Sequence, residues 1–194
     1  HFNFILNQLG DINHTHAIAT ASIRNVKNSD EVLRRVKKAL GIDIEILSGE
    51  EEARLAFVGA AGTVQGHADG VLTDIGGGST ELVLFQNHEV VDSASLDIGS
   101  LSVFRDYVDG LFITNDERKT MDERLKFLLN AQAMAGNRYP ILCAVGGSAR
   151  ATLKMYNTLF DEDHDNDEMK TDDLKTLMKH LLDSEDKEKM AIIL

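Results

Sequence analysis

Apolar and polar positions follow two periods along this chain, and the switches between them mark its elements. Residues 42–47 (Ile-Asp-Ile-Glu-Ile-Leu) largely alternate apolar and acidic side chains, the period of a half-buried strand. Val32, Leu33, Val36 and Leu40 follow the helical period instead, with Ser29 or Asp30 as the capping residue and Gly41 as the stop. Upstream, residues 2–9 read as the end of a helix closed by Gly10. Residues 14–20 read as a buried strand centred on Ala17, Ile18 and Ala19. Gly49 opens a second helix, 50–62, whose first turn carries Glu50, Glu51 and Glu52. The helix dipole favours carboxylates there, so stabilisation alone accounts for three acids in a row.

Residues 62–70 (GTVQGHADG) predict a connection between two lobes, 1–65 and 66–194. Beyond it come strands at 71–75 and 80–85, a turn at Asn87-His88, and a third strand at 89–96. Helices are expected at 100–108 and 116–135. A buried strand at 141–145 then leads through Gly146-Gly147-Ser148 into a helix at 149–160, and two amphipathic helices, 171–182 and 185–194, follow. Hairpin strands mixed with strand-helix alternation predict an α/β protein.

Charge narrows the functions open to such a fold. Twenty Lys and Arg stand against 32 Asp and Glu, a net of −12, which speaks against general nucleic-acid binding. Much of the excess lies in 161–189, which reads as a solvated acidic surface. Its densest part, Asp161-Glu-Asp-His-Asp-Asn-Asp167, lacks the glycine and closing glutamate of a helix-loop-helix calcium site. Cys143 is the sole cysteine and can form no internal disulfide, so nothing points to an oxidising compartment. No apolar run approaches about 18 residues, so the reading excludes a membrane span and expects a cytoplasmic protein.

Candidate chemistry concentrates in Asp74-Ile-Gly-Gly-Gly-Ser-Thr-Glu81, between two apolar strands. Gly76, Gly77 and Gly78 allow backbone N–H groups to converge on a phosphate with no Cβ in the way, and Ser79 adds a hydroxyl. Asp74 can hold a divalent metal, directly or through water, and Glu81 offers a second carboxylate. A tight hairpin turn is the plain alternative, but it needs fewer glycines and no flanking acids. Gly146, Gly147 and Ser148 sit between a strand and a helix, a geometry that presents N–H groups to an anion.

Three segments in this order, Ala19-Thr-Ala-Ser-Ile-Arg24, Ile46-Leu-Ser-Gly-Glu-Glu-Glu-Ala-Arg-Leu55 and Asp74-Ile-Gly-Gly-Gly-Ser-Thr-Glu-Leu-Val83, resemble the exopolyphosphatase/guanosine pentaphosphate phosphohydrolase family. Gly146-Gly-Ser-Ala-Arg150 resembles its later glycine motif. The resemblance implies the two-lobed ribonuclease H-like fold of actin, the sugar kinases and Hsp70, with a phosphate cleft between lobes. It implies that Arg24 holds a phosphate and that Glu52 is the catalytic glutamate that deprotonates water. Asp74 and Glu81 would lie near the metal, and Gly76 to Ser79 would cradle phosphate. The family's opening Asp-x-Gly-Ser-Asn-Ser motif has no counterpart upstream, and Asp97-Ile-Gly-Ser100 is a decoy by position, so the first lobe is expected to be incomplete.

The expected reaction is release of terminal phosphate from polyphosphate with Mg²⁺. The residues name no base-binding group, so hydrolysis of pppGpp stands beside it. A kinase-like use of ATP is a third reading, which the Glu52 motif opposes. A non-catalytic regulator binding a phosphorylated nucleotide, guanosine tetra- or pentaphosphate included, is a fourth. A homodimer is a further expectation.

Overall fold

The computed structural model describes residues 15–64, 66–110 and 113–182. The helices expected at 2–9 and 185–194 lie outside the described residues, as does His14 at the start of the first expected strand.

A small sheet comes first. Strand β1 (Ala17–Ala19) runs parallel to β2 (Ile44–Ile46), with Ala17 opposite Ile44 and Ala19 opposite Ile46. A parallel pair needs a crossover, supplied by helix α1 (Ala21–Arg24) and helix α2 (Ser29–Leu40). Gly41 ends α2 at φ 70°, the left-handed cap that glycine adopts without Cβ strain. The N-cap is Asn28, one residue before the expected serine. Ser29 and Asp30 fall in the first turn, where Asp30 and Glu31 suit the dipole. The expectation of a buried first strand is corrected at Ile18, which is 49% exposed; β1 has β2 as its sole described partner.

The second sheet has the order β5-β4-β3-β6. Strands β3 (Gly70–Ile75), β4 (Thr80–Gln86) and β5 (Glu89–Leu96) form an antiparallel meander, and β6 (Leu142–Val145) joins β3 in parallel. Asn87 and His88, at φ 50° and 62°, make the tight turn between β4 and β5. Strand β6 was expected to be buried. It lies at the sheet edge, where Cys143 alone is buried and Leu142 is 66% exposed.

The register of β3 and β4 divides one face of this sheet in two. Leu72 opposes Val83 and Asp74 opposes Glu81, so the face is apolar at one end and acidic at the other. Helix α3 (Gly49–Gly59) and the short α4 (Ala61–Val64) cover the apolar end. Ala53, Ala60 and Val64 pack with Leu72, Val83, Phe85 and Cys143, and the Phe57 and Phe85 ring centroids are 5.4 Å apart. Helix α3 thus rests on the second sheet although its sequence lies before the expected connection.

Helices α5 (Ser100–Tyr107) and α6 (Asn115–Asn130) pack on the opposite face through Val103 and Leu125. A cavity of about 790 Å³ lies there among apolar residues, including Val71, Leu82 and Met121. Helix α6 stops at Asn130, short of the expected 135. Helix α7 (Gly147–Phe160) and helix α8 (Thr171–Leu182) form a smaller cluster around Tyr156 and Leu177.

Candidate functional site

The acidic end of the second sheet meets the N-terminus of α3, and helix capping decides which glutamate faces it. The Ser48 hydroxyl accepts from the Glu51 backbone N–H, and Glu51 in turn accepts from the Ser48 N–H at 2.8 Å. This reciprocal box occupies Glu51 and holds its carboxyl below the ordinary range, chiefly through the Ser48 backbone bond. Glu50 is exposed. Glu52, one step further round the helix, turns inward and accepts from Arg24 Nη1 at 2.9 Å through Oε2. Arg24 Nη1 also donates to the Leu47 carbonyl at 2.8 Å, which fixes the guanidinium against β2's exit.

Asp74 and Glu81 are neighbours across β3 and β4. Burial pushes the Asp74 carboxyl up from its ordinary range; the Glu52 charge pushes the same way, and the Arg150 charge opposes it. Glu81 is 1% exposed, and burial also raises its carboxyl. The Ser95 hydroxyl donates to Glu81 Oε1 at 2.9 Å, and Ser79, 2% exposed, turns its hydroxyl to the same group. Both bonds favour the ionised form, and the charges of Glu52 and Asp74 disfavour it. Among the described residues no three His, Cys, Asp or Glu side chains group closely enough to form a metal cage. Mg²⁺ does not require one. It binds through one or two carboxylates with waters and phosphate oxygens, and a half-buried carboxylate beside a second acid fits that requirement.

The glycine turn closes on itself, Gly76 N–H donating to Ser79 O at 3.0 Å. Its carbonyls face α5: Gly76 O accepts from Ser100 N–H at 2.9 Å, and Gly77 O from Leu101 and Ser102 N–H at 3.0 Å each. No backbone hydrogen bond among the described residues takes the N–H of Gly77, Gly78 or Ser79. Gly99 makes the arrangement possible, since a Cβ there would lie 2.6 Å from Gly76 O. The Asp97-Ile-Gly-Ser100 segment, set aside as a decoy for phosphate, braces the Gly76–Ser79 turn. Gly78 faces α1, where Ala21 Cβ lies 3.6 Å from the position of a Gly78 Cβ.

The second glycine turn reaches the same place. Gly146 has φ 95°, and a Cβ on it would stand 2.7 Å from Asp74 Oδ1. Gly147 and Ser148 form the first turn of α7 beyond it. The fold therefore gathers Arg24, Glu52, Asp74, the Gly76–Ser79 turn and the Gly146 turn at one end of the second sheet, with Glu81 buried behind. Sequence reasoning missed Ser95, Gly49 and Gly99. Their signal is sterics between elements distant in sequence, which no local pattern carries.

Fold and geometry define an α/β protein whose carboxylates and glycine turns converge where a small parallel sheet meets an antiparallel meander. The model of the Ppx/GppA phosphatase family matches residues 2–193, and the chain belongs to that family. Similar solved structures include an Aquifex aeolicus family member, at 23% identity and TM-score 0.70, covering 100% of this chain and 63% of that one. An exopolyphosphatase from Cytophaga hutchinsonii matches at 24% identity and TM-score 0.74, covering 93% of this chain and 60% of that one. An Aquifex aeolicus PPX-GPPA enzyme matches at 25% identity and TM-score 0.60, covering 84% and 53%. The chain thus spans between about half and six-tenths of the length of these relatives. The mixed α/β fold of this chain is that of these solved family structures. No helix among the described residues is long and apolar enough to cross a membrane.

Proposed function

We propose that the chain carries the centre of a phosphoanhydride hydrolase that releases terminal phosphate from inorganic polyphosphate. The observation that supports this reading most is the meeting of Glu52 and Arg24 with Asp74 and two glycine turns. The Gly77, Gly78 and Ser79 N–H groups would receive the oxygens of the terminal phosphate, as fixed dipoles that need no reorganisation. Gly146, Gly147 and Ser148 would receive a neighbouring phosphate. Arg24 engages Glu52 through Nη1, which leaves Nη2 and Nε for a phosphate oxygen. Glu52 Oε2 is held by that bond, so Oε1 takes the proton of the attacking water. Asp74 would hold Mg²⁺, which supplies neutralisation of charge on the phosphate chain. The net charge of −12 does not oppose a polyanion, because local dipoles and the metal set the potential of the cleft.

The test is phosphate release from polyphosphate and from pppGpp with and without Mg²⁺, beside equilibrium binding of both. Mg²⁺-dependent release from polyphosphate is expected, and Glu52→Gln should lower kcat by about 10²–10⁴ while the protein stays folded. Binding without release would favour a regulator, and faster release from pppGpp would reassign the substrate.

A further inference from the structure

Packing gives Gly99 and Gly146 a reason to be glycine, and it gives Gly78 none. A Cβ on Gly99 would lie 2.6 Å from Gly76 O, and one on Gly146 would lie 2.7 Å from Asp74 Oδ1. A Cβ on Gly78 would meet nothing nearer than 3.6 Å, an ordinary contact, and Gly78 does not have a positive φ. That Cβ would instead enter a gap about one methyl group wide between the glycine turn and α1. Across the gap stand Ala21 Cβ at 3.6 Å, Ser22 N at 3.9 Å and Ser22 Oγ at 4.0 Å.

Ser22 is exposed, and its hydroxyl makes no side-chain hydrogen bond to any described residue. The chain just after it is anchored twice. Arg24 Nη1 holds Leu47 O and Glu52, and Asn25 Nδ2 donates to Asp97 Oδ1 at 2.9 Å. Asp97 opens the same segment that braces the Gly76–Ser79 turn, so the hydroxyl and the turn are set against each other through one support.

We infer that Ser22 is a further substrate-binding residue, whose hydroxyl donates to an oxygen of the phosphate held by the turn's amides. The space left by the absent Gly78 Cβ is the room for that oxygen. The inference rests on the hydrolase reading for which phosphate is bound, though not for the binding of a phosphate group as such. A hydroxyl that donates to a charged oxygen is worth more than one bonded to a neutral acceptor, so its loss is measurable.

Threonine and valine have nearly the same shape and differ at this position by the hydroxyl. Ser22→Thr should bind pyrophosphate within about twofold of wild type by calorimetry, and Ser22→Val about tenfold more weakly. The two variants should melt together. With polyphosphate, Ser22→Val should raise KM about tenfold and leave kcat within about twofold, as expected of a contact kept from ground state to transition state. Gly78→Ala should leave Tm undiminished, because the methyl group meets no clash, yet weaken pyrophosphate binding by about tenfold or more. With the gap filled in that background, threonine and valine at position 22 should bind alike.

Equal pyrophosphate binding by Ser22→Thr and Ser22→Val in the otherwise native protein would overturn the inference. So would wild-type affinity in Gly78→Ala, or a wild type that binds no pyrophosphate. A clear difference between threonine and valine, without phosphate release from polyphosphate by the wild type, would uphold Ser22 and count against the hydrolase reading alone.

Discussion

Burial raises the Asp74 carboxyl first, and the charge of Glu52, brought in from α3, raises it further against the opposing charge of Arg150. The raised carboxyl has a stability consequence with a definite sign. The folded form binds a proton more readily than the unfolded chain, so ionised Asp74 opposes folding as pH rises past its ordinary value of 3.8. Asp74→Asn should therefore raise Tm at neutral pH by about 2–4 °C. The advantage should shrink as the pH falls toward 4 and both proteins carry a neutral group. Melting curves at pH 4 and 7 check it, and an equal or lower Tm for the variant at pH 7 would mean that Asp74 is stabilised by its surroundings. Addition of Mg²⁺ should raise the wild-type Tm and leave the variant's unchanged.

Helix α3 shows what an element adds to its residues. Composition alone let the dipole explain Glu50, Glu51 and Glu52 alike, and the family resemblance singled out Glu52 without a physical reason. The reason is the helical step: the box with Ser48 fixes Glu51 at the third position, and Glu52 then turns about 100° further, toward the sheet. Glu51→Gln should keep turnover within about twofold of wild type in the assay where Glu52→Gln loses it. Ser48→Ala should cost on the order of 1 kcal/mol of stability through loss of the cap, read by urea denaturation. A large fall in turnover for Glu51→Gln would move the base one position back. The strands of the meander were legible to within a residue because alternation and the Asn87-His88 turn are local signals. Strand β6 was misjudged because an apolar run looks the same at an edge as in the middle of a sheet; only pairing distinguishes them.

At the scale of the molecule, sequence order and packing order part company at α3. The expected division near residue 65 follows the glycines, whereas Ala53, Phe57 and Ala60 rest on Leu72, Val83 and Phe85 beyond it. A protein cut to residues 66–194 would bare that face. It should bind a hydrophobic dye and associate, while one beginning at residue 48 should do neither; light scattering and dye fluorescence compare them. Equal behaviour of the two would show that α3 contributes little to the sheet. The carbonyls of Gly76 and Gly77 are held by the first amides of α5, so a peptide flip in the turn would have to break a helix end. The turn therefore has a single handedness before any ligand arrives, and loading it should resemble a key entering a fixed lock, with the rate set by diffusion and exit rather than by a rearrangement.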